Sequence, residues 1–223
     1  MFALAVWDAV ERTLSLARDR LGEKPLLYAH ASGTLVFGSE LPALRQHPVV
    51  GSALDPQGLS LYLRHGFVPA PHSIIAGVRK LPAGSVLRAR VGDRRPPQIE
   101  PYWSLPDVAQ RGAAEPVQAC DADLIDEADH LLRDSVRIRC ESDVPLGAFL
   151  SGGVDSSTVV ALMAATSERP IQTYTVAVGD SLDEAHHARA VARHLGTAHC
   201  EIPLDPKDAL DLAPAIAQVY DEP

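Results

Sequence analysis

Residues 149–158 read FLSGGVDSST: Phe149, Leu150, Ser151, Gly152, Gly153, Val154, Asp155, Ser156, Ser157, Thr158. The apolar run 144–150 stops there at two glycines, and residues 156–165 resume as a helical pattern. A tight strand-to-helix turn exposes backbone N–H groups at the helix N-terminus, which with the helix dipole make an anion site. Gly152 and Gly153 let the backbone approach a phosphate with no Cβ in the way. Ser151, Ser156, Ser157 and Thr158 add hydroxyl donors. Asp155 is the odd member, because a carboxylate beside a phosphate repels it unless a cation lies between. Its presence points to Mg2+ held between Asp155 and phosphate oxygens.

Three other turn chemistries fail on the residues. The turn has no GxxxxGK[ST] and no lysine near it in sequence, so it is not a Walker loop. It lacks GxGxxG, which removes the dinucleotide fingerprint. A nucleophile elbow GxSxG needs a glycine two residues before Ser151, and Phe149 stands there.

Outward from the turn, the chain alternates helix and strand from Cys120 onward. Leu124, Ile125, Ala128, Leu131, Leu132 and Val136 recur at helical spacing, giving 122–139 an apolar face. The run 144–150 reads as a buried strand and 171–178 as a second. Residues 183–195 read as a helix with Gly196 at its C′ position, and 198–203 as a third strand. Asp205-Pro206 opens a further helix that Pro214 must kink or restart. This alternation predicts a parallel sheet covered on both faces.

Residues 1–105 have a different texture, with short strand-like runs at 2–7, 13–17, 26–30, 35–38 and 86–91. Ser32-Gly33 reads as a hairpin turn, and Asp55 as the N-cap of a helix over Pro56–His65. Antiparallel pairing is the simplest expectation. Residues 106–119, poor in large apolar side chains, read as a linker. The expected domains are therefore 1–105 and 120–223.

The 223 residues are 46% hydrophobic, enough for one large or two small cores. No run of eighteen apolar residues occurs, so no membrane span is expected. Lys plus Arg is 20 against 29 for Asp plus Glu, a net −9 with no basic stripe, which argues against a nucleic-acid partner. Cys120, Cys140 and Cys200 are odd in number and show no CxxC spacing, which fits a reduced cytoplasm. His186, His187, His194 and His199 cluster near Cys200, but the spacing matches no standard zinc pattern.

LSGGVDSS, residues 150–157, resembles the pyrophosphate loop of the N-type ATP pyrophosphatases. MFALAVWD, LARDRLGEKPLLYA, FGSELPALRQHP, LRHGFVPAPHSIIAGVRKLPAG and YW in the first half select a member. So do the later TYTVAVGDSLDEAHHARAVARHLGTAHCE and the terminal DEP. Together they are similar to the glutamine-dependent asparagine synthetases of the class II amidotransferase type. The resemblance implies an α+β fold, part of an antiparallel Ntn-hydrolase-like sandwich, over 1–105. An α/β, Rossmann-like ATP pyrophosphatase domain, truncated, would follow over 120–223. It implies a carbon–nitrogen ligase with glutamine as nitrogen donor, which converts aspartate to asparagine through β-aspartyl-AMP. ATP and Mg2+ are the implied cofactors, and a homodimer is allowed. Carried over by residue, Leu150, Ser151, Gly152, Gly153, Asp155, Ser156 and Ser157 match the loop around pyrophosphate. Val176 matches a position whose backbone contacts adenine. Arg18-Asp19-Arg20-Leu21-Gly22 is read as structural, a buried ion pair holding a turn, rather than as a substrate contact.

The chain also departs from that family. Its glutaminase nucleophile is an N-terminal cysteine, whereas residue 2 is Phe2, so no catalytic residue is assigned and the glutaminase cysteine lies outside this chain. A second glycine–acid motif and the acceptor residues would follow Pro223. The expectation is an internal fragment, inactive alone and with unpaired apolar edges. Two alternatives stay open: the same chemistry on a sugar, peptide or β-lactam precursor, and a non-catalytic ATP-binding remnant.

Overall fold

Ser32 and Gly33 both adopt positive φ, 52° and 76°, the conformation a two-residue hairpin turn needs to match strand twist. They join β3 (Leu27–Ala31) to β4 (Thr34–Gly38), which pair antiparallel with Ala31 opposite Thr34. The structure is a computed structural model that describes residues 1–223 apart from 94, 179–181 and 223. Parts of two resembling segments, residues 179–181 and Pro223 of DEP, therefore lie outside the described residues.

Two compact units emerge, one of residues 1–117 with 215–223 and one of 118–214. The first contains two antiparallel sheets. One has the order β1 (Ala3–Asp8), β2 (Thr13–Arg18), β6 (Ser85–Arg90), β7 (Gln98–Pro101); in the other, β3 lies between β4 and β5 (Val78–Lys80). Alternation along the chain decides what each face of β3 buries. Leu26 and Tyr28 pack with Leu81 and with Leu16 and Leu87 of the first sheet. Leu27 and Ala29 pack the other way, against Leu41 and Leu44 of α1 (Leu41–Leu44) and Ile74, Ile75 and Val78. The strand is thus buried on both faces, with an apolar core on each side. Helix α2 (Pro56–His65) has the expected bounds: Asp55 Oδ1 accepts from Gly58 N at 2.8 Å and Gly66 ends it at φ 77°.

The stretch expected as a linker is largely a helix, α3 (Leu105–Ala114), capped by Ser104, whose Oγ accepts from Asp107 N at 3.3 Å. None of its residues is buried, so local capping and the proline at its start form it rather than packing.

The second unit is a three-stranded parallel sheet, β8 (Gly147–Phe149), β9 (Gln172–Val178) and β10 (Ala198–Leu204), with β9 central. Two helices, α5 (Val154–Thr166) and α6 (Leu182–Leu195), share one cluster, in which Leu150 and Val160 meet Ala188 and Ala192. Helix α4 (Asp121–Arg139) packs on α5 through Val136, Leu162 and Met163. Register puts Ala148, Thr173 and His199 on one face, and Thr173 is fully buried. The opposite face carries Phe149, 78% exposed, together with the exposed Val176 and Ile202. The expected sheet covered on both faces is therefore corrected: among the described residues only one face is covered. The strand expected as buried over 144–150 is shorter and half open for the same reason. The apolar stripe of α4 is likewise exposed at Leu124, Ile125, Leu131 and Leu132, since packing reaches it only at Val136. Beyond β10, α7 (Pro206–Leu212) yields at Pro214 to a 3-10 turn (Ala213–Ala215) and restarts as α8 (Ile216–Val219). No described helix is long and apolar enough to cross a membrane.

Candidate functional site

The glycine turn sits at the C-terminal end of β8. Its entry is pinned to β9 through both backbone polar groups of one residue: Leu150 N donates to Tyr174 O at 2.8 Å, and Thr175 Oγ1 donates to Leu150 O. Leu150 is 1% exposed and anchors the turn in the core under α5 and α6. Gly152 then takes φ 80°, where an L side chain is strained. A Cβ there would meet Ala188 N and His187 Cβ of α6 at 2.6 Å, so only glycine lets that helix approach. Gly153 has extended backbone and acts as N-cap, its carbonyl accepting from Ser157 N at 3.1 Å.

The hydroxyls divide into two groups. Ser151 and Ser156 are turned toward each other, Oγ to Oγ 2.9 Å, and Ser156 Oγ also accepts from Ser151 N at 3.2 Å. Thr158 is used inside the helix, donating to Val154 O at 2.8 Å. Ser157 Oγ is buried with no partner among the described residues. The amides of Gly152, Val154, Asp155 and Ser156 also donate to no protein atom among the described residues. Asp155, in the first turn of a thirteen-residue helix, is exposed and makes no hydrogen bond or ion pair among the described residues. A buried polar group without a partner is costly. Free amides, an orphaned hydroxyl and a solvent-facing carboxylate together fit a bridged anion and cation, the donor set that phosphate with Mg2+ requires.

The structure brings Leu150, Ser151, Gly152, Gly153, Asp155, Ser156 and Ser157 into this one turn. Val176 lies on β9 two residues past Tyr174, beyond the end of β8, with its side chain on the open face. The sequence marks His187 only as one of a histidine cluster that matches no standard zinc pattern. Its place against Gly152 comes from the crossing of α6 over the turn, a non-local contact without a sequence signal. No three His, Cys, Asp or Glu gather as for a metal among the described residues.

In the first unit, Arg18 and Asp19 correct the expected ion pair. Arg18 donates to three carbonyls, Nε to Lys24 O at 2.9 Å and the two terminal nitrogens to Leu81 O and Gly22 O at 2.7 Å. Asp19, 4% exposed, accepts from the amides of Phe2, Leu21, Glu23 and Lys24 at 3.0–3.2 Å. Burial pushes its carboxyl upward, but these four amides outweigh burial and hold it down at about 2. Each charge is thus met by backbone. A cleft of about 570 Å³ in the same unit is lined by Trp7, His30, Arg88, Arg90 and Arg95. Among the described residues its arginines pair with Glu100, Glu11 and Asp93.

Comparison with known proteins bears on both units. Residues 1–103 match the glutamine amidotransferase domain family and residues 127–223 the asparagine synthase family. A protein of Methanocaldococcus jannaschii with a provisional asparagine synthetase [glutamine-hydrolyzing] name is 33% identical over 226 residues. That match covers 100% of this chain and 42% of the relative. Asparagine synthetase [glutamine-hydrolyzing] 1 of Bacillus subtilis is 30% identical, over 100% of this chain and 34% of its own. Amidase chyE of Penicillium rubens is 30% identical over 73% of this chain and 23% of its own. The chain spans about a third to two-fifths of the length of the first two relatives.

Proposed function

This chain belongs to the glutamine-hydrolysing asparagine synthetase family, and from that premise we propose that its glycine turn holds the pyrophosphate end of ATP in a carbon–nitrogen ligase. The carrying observation is the turn itself. Four amides and the buried Ser157 hydroxyl, all without a partner among the described residues, sit at the N-terminus of a helix that follows a parallel strand.

In the whole enzyme, ATP supplies the adenylyl group for the β-carboxyl of aspartate, giving β-aspartyl-AMP and pyrophosphate, and ammonia from glutamine then displaces AMP. The amides of Gly152, Val154, Asp155 and Ser156 would hold the phosphate oxygens. Ser157 Oγ would donate to an oxygen that has replaced no protein partner. The mutual Ser151–Ser156 bond would open so that both hydroxyls turn outward. Asp155 would carry Mg2+, offsetting the charge that builds on the leaving pyrophosphate. Val176 would offer its backbone to adenine. The first unit is read as part of an Ntn-hydrolase-like sandwich, and the second as part of a Rossmann-like pyrophosphatase domain. Cys120, Cys140 and Cys200 are free thiols, in keeping with a cytoplasmic setting.

A second acceptor remains a reading in its own right. The match over 73% of this chain to a protein named as an amidase favours an amide-forming or amide-handling site for an acceptor other than aspartate. Isotope exchange between labelled pyrophosphate and ATP in the full-length enzyme, run with aspartate or a trial acceptor, separates the two. Exchange that requires aspartate supports asparagine formation, and exchange that ignores aspartate overturns it.

A further inference from the structure

Residues 215–222 return to the first unit, yet three of their large apolar side chains stay outside its core. Ile216, Val219 and Tyr220 are all exposed. What holds the segment is polar. Glu222 Oε1 accepts from Ser73 Oγ and from Ile74 N, both at 2.8 Å, and Oε2 pairs with Lys80 Nζ. Asp221 Oδ2 accepts from Leu41 N at 2.9 Å.

The receiving groups are also held by contacts other than Glu222. Ser73 is 2% exposed, and its oxygen accepts from Ile75 N at 3.3 Å, which leaves its proton for the carboxylate. The Ile74 amide belongs to the loop whose carbonyl at 74 accepts from Asp55 N at 2.9 Å. Lys80, one of three lysines in the chain, ends β5 and also donates to Val68 O at 2.5 Å. The Glu222 side chain is only 11% exposed, so its charge is met by these donors rather than by water.

We infer that Ser73 Oγ, the Ile74 amide and the Lys80 ammonium form a carboxylate-binding site whose ligand is the Glu222 side chain. Its occupation, not apolar burial, fastens residues 215–222 to the first unit. The body formed by 118–214 is then tethered to the first unit's chain at both of its ends. The clasp stands whether or not the glycine turn binds phosphate.

Hydrogen–deuterium exchange on the full chain tests it, read at the Ile74 amide with Ala29 of β3 as the fold control. Glu222→Ala is expected to speed exchange at Ile74 about tenfold or more, since that donor loses its acceptor, and to open residues 215–222 to protease. Lys80→Met, which strands the carboxylate, is expected to move both readouts the same way. Glu222→Gln keeps the shape and one acceptor oxygen but no charge, so it should fall between wild type and Glu222→Ala. If Glu222→Ala also loses protection at Ala29, Glu222→Gln decides. Unchanged exchange at Ile74 and unchanged proteolysis, with Ala29 still protected, would overturn the inference.

Discussion

At Gly152 the backbone and the space agree. Its φ of 80° disfavours a side chain, and a methyl group would lie 2.6 Å from the Ala188 amide nitrogen. Neither the backbone of β8 nor that of α6 can give way cheaply, because Leu150 is tied to β9 and Ala188 is fully buried. Gly152→Ala should therefore cost about 2 kcal/mol or more of stability in the second unit and remove phosphate binding. Thermal unfolding with and without magnesium pyrophosphate measures both. Asp19 offers a pH test. Its folded value of about 2 lies below the ordinary 3.8. A depressed carboxyl contributes stability that is full above about pH 4 and is lost as pH falls toward 2. Asp19→Asn should remove roughly 2 kcal/mol near neutrality and flatten that acid limb in urea titrations run across the range. The motif over 18–22 reads from sequence as structural, a buried ion pair holding a turn, whereas backbone groups meet the charges of Arg18 and Asp19. Adjacent residues on a turn look like partners in a string of letters, and the carbonyls and amides that actually meet them come from positions as distant as Leu81 and Phe2.

The elements show where sequence reading succeeds and where it stops. Helix α2 carries its own boundaries: Asp55 caps it, Pro56 starts it and Gly66 ends it. Asp55→Ala should cost about 1 kcal/mol, measurable by urea unfolding, because one of the first amides of the helix loses its acceptor. The strand–turn–helix at 147–166 was equally legible, since glycine and hydroxyl residues at that spacing have few other uses. The short helix over Leu105–Ala114 was not, because its composition is that of a linker and only Ser104 and the proline mark it. Coverage was not legible either. Phe149 and the leucines of α4 follow patterns that ordinarily mean burial, but whether a face is covered depends on which other segments reach it. The apolar stripe on α4 and the open face of the β8–β9–β10 sheet are the result.

For the whole molecule, division into two units has a thermodynamic consequence. A ligand that binds one unit stabilises that unit by mass action and leaves the other alone unless the two unfold together. Calorimetry should show magnesium pyrophosphate raising one transition and Asp19→Asn lowering another. A single transition moved by both would show that the units unfold as one. The clasp between Glu222 and Ser73, 149 positions apart, belongs to this scale as well and leaves no local pattern to read. Family resemblance recovered its DEP segment without its contact. The central claim, that the glycine turn is a Mg2+-dependent pyrophosphate site, is tested most directly by titration calorimetry of pyrophosphate into the full chain, with and without Mg2+. Saturable one-to-one binding that needs Mg2+, weakened about tenfold or more by Asp155→Asn and abolished by Gly152→Ala, is the predicted result. No binding, or binding that Asp155→Asn leaves unchanged, would contradict it.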